Sequence, residues 1–280
     1  RRELFILEPR RVELWRYDGK DYKRVSFLPL PAPLASVRPR RDMGTLVVAD
    51  VDGDGKSELL VRSSVHEQCV EIVLRGDKLE KRRTLHDYPL MPIDVGGKRA
   101  LLMGTAGPGV DWFPSSALSV DSGQANGSTD PAVTTAAVSS VMQLLPVSFY
   151  GLSATQIASA KGPRRYAAAL DVKGRLYIYD GKLSRTIGSS AGIGVGFALA
   201  DIDDDGQLDV LSSEPVGPED QDRVSVHRLS GAQLTQLWRS SELGGRVLAI
   251  AHGDLDGNGK QEIVVAIAPR RGRIKLVVFG

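Results

Sequence analysis

The chain reads as all-β: a β-propeller of about six or seven four-stranded blades, with residues 1–280 in one domain and one loop-and-helix insertion at 105–145. Three observations predict this. Three acidic nonapeptides each run into a short apolar segment, these loops recur at a fixed spacing, and hairpin-like segments with Asp-Gly turns follow the apolar exits.

The nonapeptides are Asp50-Val51-Asp52-Gly53-Asp54-Gly55-Lys56-Ser57-Glu58, Asp201-Ile202-Asp203-Asp204-Asp205-Gly206-Gln207-Leu208-Asp209 and Asp254-Leu255-Asp256-Gly257-Asn258-Gly259-Lys260-Gln261-Glu262. Each places oxygen side chains at positions one, three, five and nine. Carboxylates packed this densely repel one another unless a hard cation neutralises them, and calcium takes six to eight oxygens. Gly55, Gly206 and Gly259 share position six, where a tight loop needs backbone angles that a side chain opposes. An EF-hand would require an acid at position twelve and a helix beyond it. Position twelve is instead Val61, Ser212 or Val265, and the exits Glu58-Leu59-Leu60-Val61, Asp209-Val210-Leu211 and Glu262-Ile263-Val264-Val265-Ala266 read as buried strands. The loops are therefore predicted to be strand-to-strand hairpins.

With these nonapeptides the chain resembles the FG-GAP and VCBS repeat family, the calcium-binding β-propeller repeats of integrin α-subunits and many bacterial surface proteins. The nearest pieces to the Phe-Gly and Gly-Ala-Pro signatures are Gly196-Phe197 and Ala268-Pro269, so the VCBS type is the better match. The resemblance implies that each loop joins the first two strands of a blade and holds one calcium ion, up to three in all. It further implies that Asp50, Asp52, Asp54 and Glu58 ligate through side chains and Lys56 through its carbonyl. Asp201, Asp203, Asp205 and Asp209 would act with the Gln207 carbonyl, and Asp254, Asp256, Asn258 and Glu262 with that of Lys260. The third loop is expected to bind more weakly, because Asn258 stands where the others have a carboxylate.

The second and third loops begin 53 residues apart, and the 151 residues from 50 to 201 make three such periods. Two degenerate copies are expected between them, at 93–104, where most acids are lost, and at 158–170, where the loop is basic. The hairpin segments are 12–19, 70–77, 176–181 and 224–231, whose Gly and Asp residues tolerate the positive φ of tight β-turns. Counting units gives a partial blade at 3–30, blades near 43–90, 91–146, 147–190 and 194–240, and a partial blade at 246–280. The two ends would complete one blade together, or the chain is part of a longer protein. In the insertion, Asp130-Pro131 is a helix-start signal for a helix to Leu145, and Trp112 and Phe113 are candidate anchors on an otherwise solvated linker.

The composition, 42% hydrophobic with 30 glycines, suits one turn-rich β domain. Lys plus Arg number 36 against 34 acids, so a net charge of +2 does not argue for nucleic acid. Arginine pairs at 1–2, 10–11, 40–41, 82–83, 164–165 and 270–271 read as solvated loop charge, with a basic rim for an anionic polymer as the alternative. Cys69 is the only cysteine, so no intrachain disulfide forms and calcium would take the stapling role. The apolar runs are too short to span a membrane, and no signal peptide is visible in a chain that starts at Arg1. Loops that need ambient calcium above cytosolic levels point to the cell surface, the periplasm or the secreted space.

His66, His86, His227 and His252 show no metal-ligand or nucleophile spacing, although His252 lies two residues before the third loop. No nucleophile elbow, phosphate loop or paired-cysteine motif occurs. A non-catalytic extracellular scaffold for adhesion to a protein, filament or glycan partner is therefore placed ahead of the alternative, a polysaccharide-acting enzyme of the lyase type or its propeller part.

Overall fold

The computed structural model describes residues 3–8, 10–30, 45–52, 54–62, 69–85, 87–95, 98–104, 113–121, 139, 141–158, 162–180, 185–215, 221–270 and 273–280. They are all-β apart from a 3-10 turn at Ser115–Ala117 and a helical stretch at Ser139 and 141–144. The chain divides into two compact units, Arg1–Ser139 and Ser140–Gly280.

In the first unit, β1 (Glu3–Glu8), β2 (Arg11–Tyr17) and β3 (Tyr22–Pro29) form an antiparallel meander. A four-stranded sheet follows in chain order: β4 (Thr45–Ala49), β5 (Glu58–Arg62), β6 (Cys69–Arg75) and β7 (Lys78–Leu85). Past it, β8 (Tyr88–Val95) and β9 (Lys98–Gly104) pair, β10 (Phe113–Pro114) is a two-residue strand, and β11 (Leu118–Asp121) returns to the other side of β9.

The second unit repeats the plan. Strands β12 (Ser148–Ile157), β13 (Arg164–Asp171), β14 (Arg175–Asp180) and β15 (Thr186–Ala191) neighbour one another in chain order. So do β16 (Phe197–Ala200), β17 (Asp209–Ser213), β18 (Val224–Ser230) and β19 (Gln233–Arg239), and finally β20 (Gly245–Gly253), β21 (Glu262–Pro269) and β22 (Lys275–Phe279).

These boundaries follow the repeat spacing with two departures. Strands β10 and β11 fall inside 105–145, read from sequence as loop and then helix, because Leu118–Asp121 pairs with β9 and extends its sheet. Tyr88, Pro89 and Leu90, assigned from sequence to the end of one blade, open the next sheet. Pro89 and Pro92 lack the N–H that a central strand must donate, and β8 accordingly lies at its sheet's edge. The tips of both degenerate hairpins, at 96–97 and 159–161, lie outside the described residues, as do Trp112, Asp130-Pro131 and most of the insertion. At its C-terminal end Val141 and Leu145 are buried, and the Tyr179 hydroxyl donates to the Leu144 carbonyl at 3.1 Å.

Burial explains the sequence pattern. Strands β5 and β17 are buried along their whole length, which is why Leu59-Leu60-Val61 and Val210-Leu211 show no alternation, although their flanking Glu58, Arg62, Asp209, Ser212 and Ser213 are buried polar residues. The last strands, β7 and β19, are largely exposed and correspondingly polar. Within each unit, neighbouring sheets share apolar cores. Val12 and Leu14 of β2 pack with Leu59, Val61, Val70 and Ile72; Leu60 and Cys69 pack with Leu101 and Met103 of β9. In the second unit Leu170 and Ile178 pack with Leu199 and Val210, and Leu211 and Val226 with Val247 and Val265. First strands adjoin first strands (β4 and β8, β12 and β16, β16 and β20), and last strands adjoin last (β3 and β7, β15 and β19).

A bulge recurs where the last two strands of a sheet pair, between Leu14 and Trp15, Glu71 and Ile72, Ile178 and Tyr179, and Val226 and His227. Each bulge adds local twist at an equivalent place. Cys69 is fully buried, and burial pushes its thiol up to about 12, so it serves as a small apolar side chain.

Candidate metal centres at three hairpin tips

All three acidic nonapeptides are hairpin tips, closed by the pairs Ala49 with Glu58, Ala200 with Asp209 and Gly253 with Glu262. One hydrogen-bond frame builds them. The position-nine carboxylate turns back to accept the position-two amide: Val51 N–H to Glu58 at 2.9 Å, Ile202 N–H to Asp209 at 3.1 Å and Leu255 N–H to Glu262 at 2.7 Å. The position-one aspartate accepts the amide of the position-six glycine, from Gly55 to Asp50 at 3.2 Å, Gly206 to Asp201 at 2.9 Å and Gly259 to Asp254 at 3.3 Å. That glycine has φ of +82°, +79° and +84° in the three loops, so the residue type is dictated by the backbone. Gly257 and Asp204 at position four are also left-handed, with φ of +73° and +57°. Gly53 lies outside the described residues.

The frame converges three carboxylates in each loop. Ligand oxygens of Asp50, Asp52 and Glu58, of Asp201, Asp203 and Asp209, and of Asp254, Asp256 and Glu262 lie within 4.8 Å of one another in each group. The position-five side chains cap the following turn. Asp54, Asp205 and Asn258 accept the amides of Lys56, Gln207 and Lys260 at 2.8, 2.9 and 2.7 Å. Position nine is buried in every loop, and position three is exposed. A buried anion, a second anion and an exposed one facing a common point form an oxygen-only donor set, which fits a hard divalent cation.

Counter-charge differs between the loops. Arg82 of β7 reaches Asp52 at 2.7 Å and also Glu71 at 3.1 Å. Arg228 of β18 meets Asp203 at 2.8 Å, Asp205 at 2.7 Å and Asp209 at 3.1 Å. Among the described residues no basic side chain forms an ion pair with Asp254, Asp256 or Glu262. The titration of the acids reflects this. Burial, with the neighbouring charges of Asp52, Glu71 and Asp54, pushes the Glu58 carboxyl up, against the pull of the Val51 amide. Burial also raises Asp209, although Arg228 pulls the other way, while the Arg82 guanidinium holds Asp52 down.

The second and third tips are tied together. His252 Nδ1 lies 2.6 Å from Gln261 Oε1 and its Nε2 3.0 Å from the Leu199 carbonyl, while Gln261 Nε2 donates to the Asp201 carbonyl at 2.8 Å. His252 thus serves as a strand-end link to the neighbouring hairpin, and Gln261, a non-ligand position of loop three, reaches loop two.

Sequence reasoning missed Arg228 as a partner of the second loop. The hairpin register would have found it, since Asp209 pairs directly with Arg228 across β17 and β18. Of the arginine pairs, Arg11, Arg82 and Arg83 are engaged by internal carboxylates.

No protein-family model matches the chain, and no curated protein matches it. Among solved structures it is similar to a crystal structure of BBS1N in complex with ARL6DN soaked with mercury, at 10% identity over 98% of this chain and 74% of that chain, with a TM-score of 0.47. A second structure of that complex, soaked with lead, matches at 13% identity over 83% of this chain and 78% of that one, with a TM-score of 0.41.

Proposed function

We propose that the chain is a calcium-stabilised β-propeller of the FG-GAP/VCBS type, of about six or seven blades, that serves outside the cytosol as a non-catalytic interaction module. The observation that carries this reading is the threefold convergence of carboxylate oxygens within 4.8 Å on one shared hairpin frame. Face-to-face sheets in chain order, with first strands against first strands and last against last, support the propeller.

Asp50, Asp52 and Glu58 would hold the first ion, Asp201, Asp203 and Asp209 the second, and Asp254, Asp256 and Glu262 the third. The position-five side chains and the carbonyls of Lys56, Gln207 and Lys260 are the remaining candidate ligands. Calcium, when bound, supplies divalent counter-charge to acids that burial and mutual repulsion otherwise disfavour. The chain's own part is to hold those acids in place before any ion arrives. Glu58, Asp209 and Glu262 are fixed by backbone amides, and the left-handed glycine closes the turn. The loops thereby pin the first two strands of their sheets and keep a rigid face for a protein, filament or glycan partner. Loops of this kind suit calcium-rich surroundings, which favours the cell surface, the periplasm or the secreted space as the location.

Chelation tests the reading. An ion at a hundred times its dissociation constant contributes about 2.7 kcal/mol per site, so EDTA should lower Tm by several degrees and Asp52→Ala should reproduce part of that loss. An unchanged Tm at neutral pH overturns it. A calcium-dependent pull-down from the native cell surface then identifies the partner.

A further inference from the structure

Resting on the calcium reading above, we infer that Arg228 is the resident counter-ion of the second loop, and that this loop fills with a divalent ion after the third. The expectation from sequence ran the other way, because Asn258 removes a carboxylate from loop three.

Local charge and strand register set this order. Arg228 presents Nη1, Nη2 and Nε to three carboxylates of one loop, with Nη2 contacting both Asp203 oxygens at 2.9 and 2.8 Å. Its side chain is only 18% exposed, so the guanidinium is held and is not a solvated charge swinging past. Two of the acids it holds, Asp203 and Asp209, belong to the convergent trio, so a divalent ion entering there meets a fixed positive charge and must compete for the same oxygens.

The other loops lack this arrangement for a simple reason. The slot that Arg228 takes opposite position nine is set by the hairpin register. By the same register, Leu59 opposite Ile72 puts Val73 across from Glu58, and Ile263 opposite Phe279 puts Gly280 across from Glu262. Arg82 comes to the first loop from a different strand, and it divides its ion pairs between Asp52 of that loop and Glu71. Loop three has three converging acids and, among the described residues, no basic partner. Counting side-chain ligands alone, four acids less one arginine, against three acids with none, leaves the two loops with the same formal charge of −3, but only loop two must displace a bound group to use it.

The test is calorimetric calcium titration of the full chain with the first and third loops disabled by Asp50→Asn with Asp52→Asn and by Asp254→Asn with Asp256→Asn. Arg228→Gln in that background should tighten the second site about tenfold or more, equivalent to about 1.4 kcal/mol, whereas Arg228→Lys should stay near the parent. Should the multiple variant fail to fold, Arg228→Gln alone is titrated in the otherwise intact chain. The variant should then melt lower than the parent in EDTA and gain more Tm than the parent on adding calcium. A purely structural arginine would lower Tm without raising affinity. Calcium binding at loop three with loop two unaffected by Arg228→Gln overturns the inference alone. Binding at no loop in parent or variant removes it together with the calcium reading.

Discussion

Each unit holds a buried acid, and these two acids are neutralised by opposite means. In the first, Glu13 of β2 is 2% exposed and is surrounded by side chains: Trp15 Nε1 donates at 2.7 Å, Arg24 Nη1 at 2.8 Å, and Arg11 Nε lies 2.8 Å away. In the second, Asp222 ahead of β18 is 1% exposed and is surrounded by backbone: it accepts the amides of Glu214 at 2.9 Å, Arg223 at 2.8 Å and Val247 at 3.0 Å. Those three amides sit after β17, before β18 and on β20, so one carboxylate stitches two sheets. Arginines bring mobile charge that can return to water; amides cannot leave. The consequence is that Glu13 behaves as part of an ion-pair cluster and Asp222 as part of the backbone.

The largest consequence is expected for Asp222→Ala. It strands three amides in a buried setting, and urea unfolding should show a loss of about 3–4 kcal/mol, with Asp222→Asn losing less because one oxygen remains. Glu13→Gln should be milder, about 1–2 kcal/mol, because Arg24 and Arg11 are 43% and 39% exposed and rehydrate when the charge goes. Equal losses for Asp222→Asn and Glu13→Gln would erase the distinction drawn between these two acids.

pH sharpens it further, through opposite signs. Burial works to raise Glu13, but Arg24, Trp15 and Arg11 outweigh it and its carboxyl titrates below the usual range. Its contribution is therefore present above the unfolded pKa and is lost as pH falls through the lower folded value. Burial raises Asp222 in spite of its three amides, so its contribution is present below the unfolded pKa and lost as pH rises through the higher folded value. Unfolding free energies at about pH 4 and about pH 7 should show Glu13→Gln more costly at the higher pH and Asp222→Asn more costly at the lower. The smallest effect is ionic: about 1 M salt should shrink the Glu13→Gln loss by a few tenths of a kcal/mol and leave Asp222→Ala unchanged.

Much of the architecture was legible beforehand because it rests on local chemistry. An acid at position nine, a glycine at position six and a β-branched exit are adjacent in the chain, and each hairpin forms where that pattern stands. The Asp18 turn is equally local, with Asp18 accepting the amides of Lys20 and Asp21 at 3.0 and 2.9 Å beside a left-handed Gly19. Most sheet limits fall within a few residues of the sequence-derived units, whereas Tyr88–Leu90 open the next sheet and β11 extends it, since strand pairing across residues 98–121 is not local. Arg83 was read as half of a basic pair, yet it is spent on Glu71 at 2.5 Å and Asp121 at 2.9 Å. A pair of adjacent arginines says nothing about which face of a strand each one takes.

By itself, then, the order of residues determined where the chain turns and which turns gather carboxylates, since both depend on groups within nine positions of one another. Only the tertiary structure decided which of those turns carries a guanidinium, which buried acid is answered by arginine and which by amides, and that Gln261 and His252 bridge neighbouring tips. Those outcomes depend on strand register and sheet stacking, which bring together residues tens of positions apart, and a one-residue change of register would send each of these side chains to the opposite face.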